Sequence, residues 1–143
     1  MKLELKHLAG YLPYGLKVFR ENKSVPSDAF VIKGATKENV FLSENGLVVV
    51  DIDRIKPILR PLSGLTKEIE VNGEKFVPIE RLRKEYSGFY FESNPELLIK
   101  SKNTNLYVSL NWTNEFQQKL YEWHFDIYGL IEKNLAIDKN IIL

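Results

Sequence analysis

A chain of 143 residues, 44% hydrophobic and 27% charged, is long enough to bury its own core and too apolar to be disordered. Its 20 basic and 19 acidic residues give a net charge of +1, which excludes the strong basic excess typical of proteins that wrap a polyanion. The absence of cysteine excludes disulfides, thiolate nucleophiles and cysteine-ligated metal sites. No apolar run is long enough for a signal peptide or a membrane span, so we expect one soluble, cytoplasmic domain over residues 1–143.

The first third of the chain predicts a short helix followed by two strands. Leucines recur at helical spacing over residues 5–12, and Pro13 ends this helix because proline cannot donate the next backbone hydrogen bond. Residues 16–20 and 29–33 are predicted as strands that pair with each other.

A hairpin is predicted around Asn45-Gly46, a dipeptide that supplies the positive φ angles of tight turns. Residues 39–42 and 47–51 are its strands. Three consecutive valines, at positions 48–50, interrupt the alternation of apolar and polar residues. Such a continuous run indicates a strand that is covered on both faces.

The middle of the chain predicts a proline-rich connection and a second hairpin. Residues 51–62 have helix-like apolar spacing, but two prolines forbid a long helix, so we predict one turn followed by an extended segment. Asn72-Gly73 then predicts a two-residue hairpin turn within residues 68–78. The predicted cross-strand pairs are Ile69 with Phe76, Glu70 with Lys75, and Val71 with Glu74.

Two further helices are predicted toward the C-terminus. A short one begins at Pro78, and the longest spans residues 114–133, with Thr113 as its N-cap and Asn134 as its left-handed stop. Gly129 lowers the intrinsic helix propensity by up to about 1 kcal/mol, so tertiary packing must hold this helix. Together the elements predict an α+β fold in which small hairpin-built antiparallel sheets pack against a long C-terminal helix and shorter helices.

The apolar band of the C-terminal helix is wider than a helix lying on a surface needs. This width leaves two interpretations open: the helix is surrounded by its own domain, or its aromatic side meets another chain. In the second case Tyr121, Phe125 and Tyr128 form the candidate surface for a protein partner or a homo-oligomer. His124 lies within the band. We expect it and His7, the only other histidine, to bond backbone groups rather than a metal.

Two basic clusters are candidates for a nucleic-acid surface, and aromatic residues lie near the first of them. The clusters are Lys17, Arg20 and Lys23, and Arg81, Arg83 and Lys84. Neighbouring glutamates offset their charge, so a solvated surface is the alternative.

Asp51 and Asp53 follow a predicted strand at a spacing that directs both carboxylates to one side of an extended segment. Such pairs hold Mg²⁺ in phosphoryl-transfer enzymes, whereas an aspartate after a strand more commonly caps a turn. The chain contains no phosphate loop, glycine-rich nucleotide-binding pattern or hydrolase motif. We therefore assign no catalytic residue, cofactor or metal ligand from the sequence.

The chain contains several short sequence stretches whose combination is familiar. They are Tyr-Leu-Pro-Tyr-Gly-Leu-Lys at 11–17, Ile-Lys-Pro-Ile-Leu-Arg-Pro-Leu-Ser at 55–63, the hairpin at 66–79, Trp-His-Phe-Asp at 123–126, Gly-Leu-Ile at 129–131 and Leu-Ala-Ile-Asp at 135–138. The set resembles short uncharacterised proteins encoded in bacterial genomes, often in prophage-like regions. The resemblance implies a mobile element or its host as context, and no activity.

The function that these observations favour is that of a non-catalytic accessory or protein-interaction protein. A nucleic-acid-binding accessory factor and a metal-dependent enzyme that uses Asp51 and Asp53 remain as alternatives.

Overall fold

The computed structural model describes residues 2–20, 29–42, 48–85 and 114–140. These residues form short helices and several small β-sheets, which is an α+β fold. The chain divides into two compact units, Met1–Pro61 with Tyr121–Leu143 and Leu62–Leu120, here called the first and the second unit. The single domain over residues 1–143 stays a prediction.

The helices of the described residues are short. They are α1 (Leu5–Leu8), α2 (Pro78–Glu85) and α3 (Asn114–Glu122), together with 3-10 turns at Ala9–Tyr14, Ile52–Arg54 and Leu62–Thr66. The strands are β1 (Lys17–Arg20), β2 (Ala29–Val31), β3 (Gly34–Ala35), β4 (Asn39–Phe41), β5 (Val49–Asp51), β6 (Ile55–Leu59), β7 (Ile69–Val71), β8 (Glu74–Phe76) and β9 (Ile137–Asp138).

A helix begins at Leu5, as predicted, and two hydrogen bonds between Glu4 and His7 hold its first turn. The Glu4 carbonyl accepts the His7 backbone N–H at 3.0 Å, while the Glu4 N–H donates to His7 Nδ1 at 2.9 Å. The predictions that this helix extends to residue 12 and that Pro13 ends it were wrong: α1 ends at Leu8, and Pro13 lies inside the 3-10 turn Ala9–Tyr14. Gly15 follows this turn with a φ of +66°. Glycine suits this position because a side chain is strained at positive φ.

A four-stranded sheet in the order β2-β1-β6-β9 forms the centre of the first unit. The predicted pairing of β1 with β2 is antiparallel, and β1 also pairs antiparallel with β6. β9 lies parallel to β6 on its other side. The predicted turn followed by an extended segment is the 3-10 turn Ile52–Arg54 followed by β6, which contains Pro57.

A second antiparallel sheet of the first unit has the order β3-β4-β5. The predicted pairing of β4 with β5 is confirmed, although the Asn45-Gly46 turn lies outside the described residues. The prediction that all three valines are covered was wrong: Val48 and Val49 are 37% and 46% exposed, whereas Val50 is buried. The reason is that only one face of this antiparallel sheet meets the core: the paired Val40 and Val50 are buried, whereas Phe41 and Val49 point to the other face.

The core of the first unit joins both ends of its chain. Buried side chains from α1, β1, β4, β5 and β6 pack with Leu130 and Ala136 of the C-terminal segment. Tyr11 lies in this core with no exposed surface. Its hydroxyl donates to the Phe125 carbonyl and accepts the Ile127 backbone N–H at 3.3 Å, so the buried oxygen is satisfied twice.

The second unit contains the hairpin of β7 and β8. Its register is the predicted one at all three pairs, Ile69 with Phe76, Glu70 with Lys75, and Val71 with Glu74. Asn72 and Gly73 have φ angles of +53° and +83°, as the tight turn requires. The helix predicted at Pro78 is α2, whose Ile79 and Leu82 are buried.

The prediction of one helix over residues 114–133 was wrong, because α3 ends at Glu122. His124 takes a φ of +60° and Gly129 a φ of +69°, angles that a right-handed helix excludes. Residues 123–136 instead form turns that pack into the first unit. Asn134 does adopt the predicted left-handed conformation, with a φ of +59°. The predicted cap at Thr113 lies outside the described residues.

We expect the substitution Tyr11→Phe to destabilise the protein by about 1–3 kcal/mol, because it leaves the buried Phe125 carbonyl and Ile127 N–H without their partner. Urea denaturation followed by circular dichroism measures this free energy of unfolding. Tyr14→Phe is the matched control and is expected to change it by less than about 0.5 kcal/mol, since no described group bonds that hydroxyl. An equal loss in both variants would contradict the role of the Tyr11 hydroxyl.

Candidate functional site

The segment that follows α3 lies against the end of β6 and extends the sheet there. The Arg60 N–H donates to the His124 carbonyl at 2.7 Å, and the Asp126 N–H donates to the Arg60 carbonyl at 2.8 Å. Arg60 and Phe125 thereby form a parallel bridge. This pairing places the polar side chains of residues 124 and 126 at fixed positions in the first unit.

His124 bonds a backbone group, as predicted. Its Nε2 lies 2.8 Å from the Tyr14 carbonyl oxygen, and because a carbonyl only accepts, Nε2 carries the proton. Burial lowers the pKa of His124, the bond to Tyr14 raises it, and the charges of Lys139, Arg60 and Lys17 lower it further. The net effect is a lowered pKa, which favours the neutral imidazole near neutral pH.

Asp126 is buried and acts as a local cap. Its Oδ1 accepts the Leu130 N–H at 2.8 Å and its Oδ2 accepts the Ile131 N–H at 2.9 Å. Burial raises the pKa of Asp126, and these backbone donors offset part of that rise. The carboxylate therefore holds the turn of residues 126–131 that replaces the predicted helix.

Three cationic side chains lie near the His124 imidazole. Lys17 begins β1, Arg60 follows β6, and Lys139 follows β9, where its N–H donates to the Leu59 carbonyl at 2.8 Å. Partial desolvation of the Lys139 ammonium group lowers its pKa, and the charges of Arg60 and Lys17 lower that pKa further. The sequence carries no signal for this cluster, because its members are distant from one another along the chain.

The aromatic residues of the predicted partner surface are not equally accessible. Phe125 has no exposed surface, whereas Tyr121 and Tyr128 are half-buried against the core and their hydroxyl oxygens lie 3.0 Å apart. The Tyr121 ring also meets Tyr11 edge to face at 4.8 Å. It packs so closely on Gly10 that a Cβ atom there would overlap the ring. Only the two tyrosines can therefore offer area to a partner, and that role stays a prediction.

The residues of the two predicted basic clusters differ in exposure and in the groups that they contact. Lys17 is exposed and Arg20 is half-buried, while Lys23 lies outside the described residues. Arg81 is engaged within the second unit: its guanidinium pairs with Glu74 and lies 3.9 Å above the centre of the Phe76 ring. Lys84 is exposed, and Arg83 is described only as part of α2.

Asp51 and Asp53 lie on either side of Ile52, and both are exposed. They line an open groove of about 580 Å³ in which three lysines and two glutamates also take part. Asp51 Oδ2 faces Arg54 Nε at 3.7 Å, so a cation already accompanies one of the two carboxylates. Within the described ranges, no three metal-ligating side chains lie close enough together to hold an ion.

The edge of β5 is the most accessible apolar feature of the first unit. In the part of the chain that the structure describes, only β4 pairs with β5. Val49 lies opposite the half-buried Phe41 on the outer face of the sheet. A notch of about 170 Å³ beside Val49 is lined by Arg20, Asp51 and Arg54 as well as Val50. The edge thus combines exposed valine side chains with two guanidinium groups and one carboxylate.

Comparison with protein-family models, curated proteins and solved structures finds no match to this chain. The resemblance to prophage-encoded proteins therefore stays a prediction. Among the described helices, none has the length and apolar character needed to cross a membrane.

We expect Asp126→Ala to cost about 2–3 kcal/mol of unfolding free energy, because it leaves the Leu130 and Ile131 N–H groups without their acceptor. Asp126→Asn should recover part of this loss, since its amide oxygen still accepts one bond. Asp138→Ala is the control: that carboxylate accepts only an exposed N–H, from Asn140 at 2.8 Å, so its loss should stay below about 1 kcal/mol. Thermal and urea denaturation measure all three, and equal effects at both positions would refute the capping role.

The substitution His124→Asn removes the imidazole and so tests how its lowered pKa affects stability. Asparagine is the replacement because it tolerates the φ of +60° at this position. The folded pKa of His124 lies below the unfolded value of 6.5, so its stabilising contribution is present above that pH and is lost as pH falls. The stability difference between the parent and His124→Asn should therefore decrease on acidification, by up to about 1.4 kcal/mol per pH unit. Urea denaturation between neutral and mildly acidic pH measures it; a constant difference would contradict the lowered pKa.

Proposed function

We propose that this chain is a non-catalytic protein-interaction protein whose β5 edge accepts an extended, acidic segment of a partner. The observation that carries the proposal is the exposure of Val49, at 46%, on a strand that pairs on one side alone within the described residues. Edge strands present unpaired backbone groups that another strand can bond. The exposed Val49 side chain adds apolar area to this surface.

The charges beside the edge favour an acidic partner. Arg20 forms no ion pair with any carboxylate of the described residues, and it lines the same notch as Val49. Arg54 is paired with Asp51, but at 3.7 Å and with both side chains more than half exposed this pair is weak and exchangeable. Two guanidinium groups against one carboxylate leave a net positive rim, which complements glutamate or aspartate side chains.

The size of the edge favours a partner segment over a second copy of the chain. β5 has three residues, so two copies paired through it alone would bury far less than the roughly 1,200 Å² of a stable interface. An extended peptide gains affinity from main-chain hydrogen bonds and needs less area. The context suggested by the resemblance, a mobile element or its bacterial host, is compatible with such an accessory role.

Nucleic-acid binding is a second candidate function, supported by the exposure of Lys17 and by the absence of an ion pair at Arg20 among the described residues. The engagement of Arg81 with Glu74 and Phe76 weakens the case for the other cluster. The metal-dependent enzyme has less support, because Arg54 already accompanies Asp51.

Two synthetic ten-residue peptides test the proposal. In the acidic peptide glutamate alternates with valine and threonine, and in the basic peptide lysine replaces each glutamate. We expect the acidic peptide to shift the backbone amide signals of Val49, Val50 and Asp51 in heteronuclear NMR, and the basic one to shift none. Val49→Thr, which keeps the β-branched shape, and Arg20→Gln should each weaken binding by about fivefold.

Lys37→Gln is the matched control. It removes one positive charge from an exposed site in the connection between β3 and β4, so it should leave the affinity unchanged. Equal binding of the acidic and basic peptides, or shifts elsewhere than at β5, would overturn the proposal. So would a stable dimer in analytical ultracentrifugation that Val49→Thr dissociates, because the edge would then serve a second copy.

A further inference from the structure

The cationic cluster described above is assembled by backbone pairing at one end of the four-stranded sheet. Because Val18 pairs with Pro57, Lys17 stands level with Ile58, and Ile58 pairs with Ile137. Lys17 therefore starts β1 at the same end of the sheet where β6 and β9 finish. Arg60 and Lys139 are the residues that follow those two strands.

His124 is held at the same end of the sheet. The Arg60 N–H holds the residue-124 carbonyl at 2.7 Å, and the ring donates from Nε2 to the Tyr14 carbonyl at 2.8 Å. With Nε2 committed to Tyr14, Nδ1 is the ring nitrogen that remains for a ligand, and it can donate only after protonation. Four segments thus bring three positive charges and one protonatable nitrogen together.

The two lysines of the cluster lack carboxylate partners in the part of the chain that the structure describes. No ion pair joins Lys17 or Lys139 to a described acidic residue, and Arg60 and Lys17 both lower the pKa of Lys139 by repulsion. Asp138, the neighbour of Lys139, stands level with Leu59, and its Oδ1 accepts the Asn140 N–H at 2.8 Å. In a chain with a net charge of only +1, this is a concentration of like charge that a bound anion relieves.

We propose that Lys17, Lys139 and His124, with Arg60 contributing positive potential, bind a phosphate group. The tetrahedral dianion accepts hydrogen bonds from several directions, which matches donors that arrive from separate segments. The Arg60 guanidinium, which donates to the Trp123 carbonyl at 3.4 Å, is held in place and adds charge without rearranging. The phosphate group can belong to free orthophosphate or to the backbone of a single-stranded nucleic acid, and the site is independent of the β5 edge.

The two histidines make a direct test by proton NMR, because each gives a resolved imidazole signal. We expect orthophosphate to raise the pKa of His124 by about 0.5 unit or more relative to sodium chloride at equal ionic strength. His7 is the internal control. Its pKa is governed by burial and by Lys6, Glu4 and Lys133, none of which belongs to the cluster, so it should not move.

Lysine-to-glutamine variants distinguish phosphate binding at this site from a general effect of salt on the pKa of His124. Lys139→Gln and Lys17→Gln should each reduce the phosphate-dependent shift of His124 by at least about half, whereas Lys133→Gln, an exposed lysine that acts on His7, should leave it unchanged. A shift that is equal in all three variants, or a shift of both histidines, would overturn the proposal.

A ten-nucleotide oligothymidylate, titrated in parallel, distinguishes the two sources of phosphate. Half-saturation of the His124 shift at a much lower concentration of oligonucleotide than of orthophosphate identifies nucleic-acid backbone as the ligand, and the reverse order identifies a small phosphate compound. Absence of a shift with both ligands refutes the site. Val49→Thr should change neither titration, so failure of the phosphate site and failure of the β5 proposal are told apart.

Discussion

The first unit depends on the bond network of one buried hydroxyl, that of Tyr11. This unit is built from two stretches of chain that the whole second unit separates, so it forms only if the C-terminal stretch is held against the N-terminal one. Within the core the Tyr11 hydroxyl joins the two stretches by donating to the Phe125 carbonyl and accepting the Ile127 N–H, while the backbone bonds of Arg60 and the β6–β9 pairing join them along the sheet. Burying a hydroxyl is costly unless both of its functions are used, which makes this junction specific as well as stable.

The same junction explains why the chain leaves the helical conformation after Glu122. A continued helix would satisfy its backbone internally but would forfeit the contacts that His124, Asp126 and Phe125 make with distant parts of the unit. In the observed fold the imidazole bonds the Tyr14 carbonyl, and the carboxylate takes up the N–H groups of the following turn. Tertiary bonds and local side-chain bonds together take the place of the helical ones, and buried apolar side chains such as Leu130 still reach the core.

The distribution of charge in the first unit follows from this arrangement. Acidic and basic side chains alternate around the groove near Asp51 and Asp53, where Lys6 pairs with Glu4 at 3.3 Å, so their fields largely cancel. At the end of the sheet, the returning C-terminal segment brings Lys139 to Lys17 and Arg60, and neither lysine forms an ion pair with an acid of the described residues. A protein that is nearly neutral as a whole thus acquires a local positive potential, which its net charge does not indicate.

The second unit shows how much local sequence determines when partners are close along the chain. Asn72-Gly73 sets the hairpin turn, and the turn in turn sets the register of all three cross-strand pairs. Arg81 of the following helix reaches back over Phe76 to Glu74, so hairpin and helix are joined by residues only five and seven positions apart. These elements were predictable because turn geometry and short-range contacts leave few alternatives.

The sequence by itself determined the α+β class, the pairing of β4 with β5, the start of the N-terminal helix and the second hairpin, because each depends on neighbours in the chain. Only the tertiary structure decided that residues 123–133 are not helical, since apolar residues at helical spacing suit any segment buried on most sides. Only it showed that β5, the strand of Val49, pairs on one side alone within the described residues, because the position of a strand within its sheet leaves no local trace. The cationic cluster likewise comes from residues 17, 60, 124 and 139, and it exists because long-range backbone pairing brings them together.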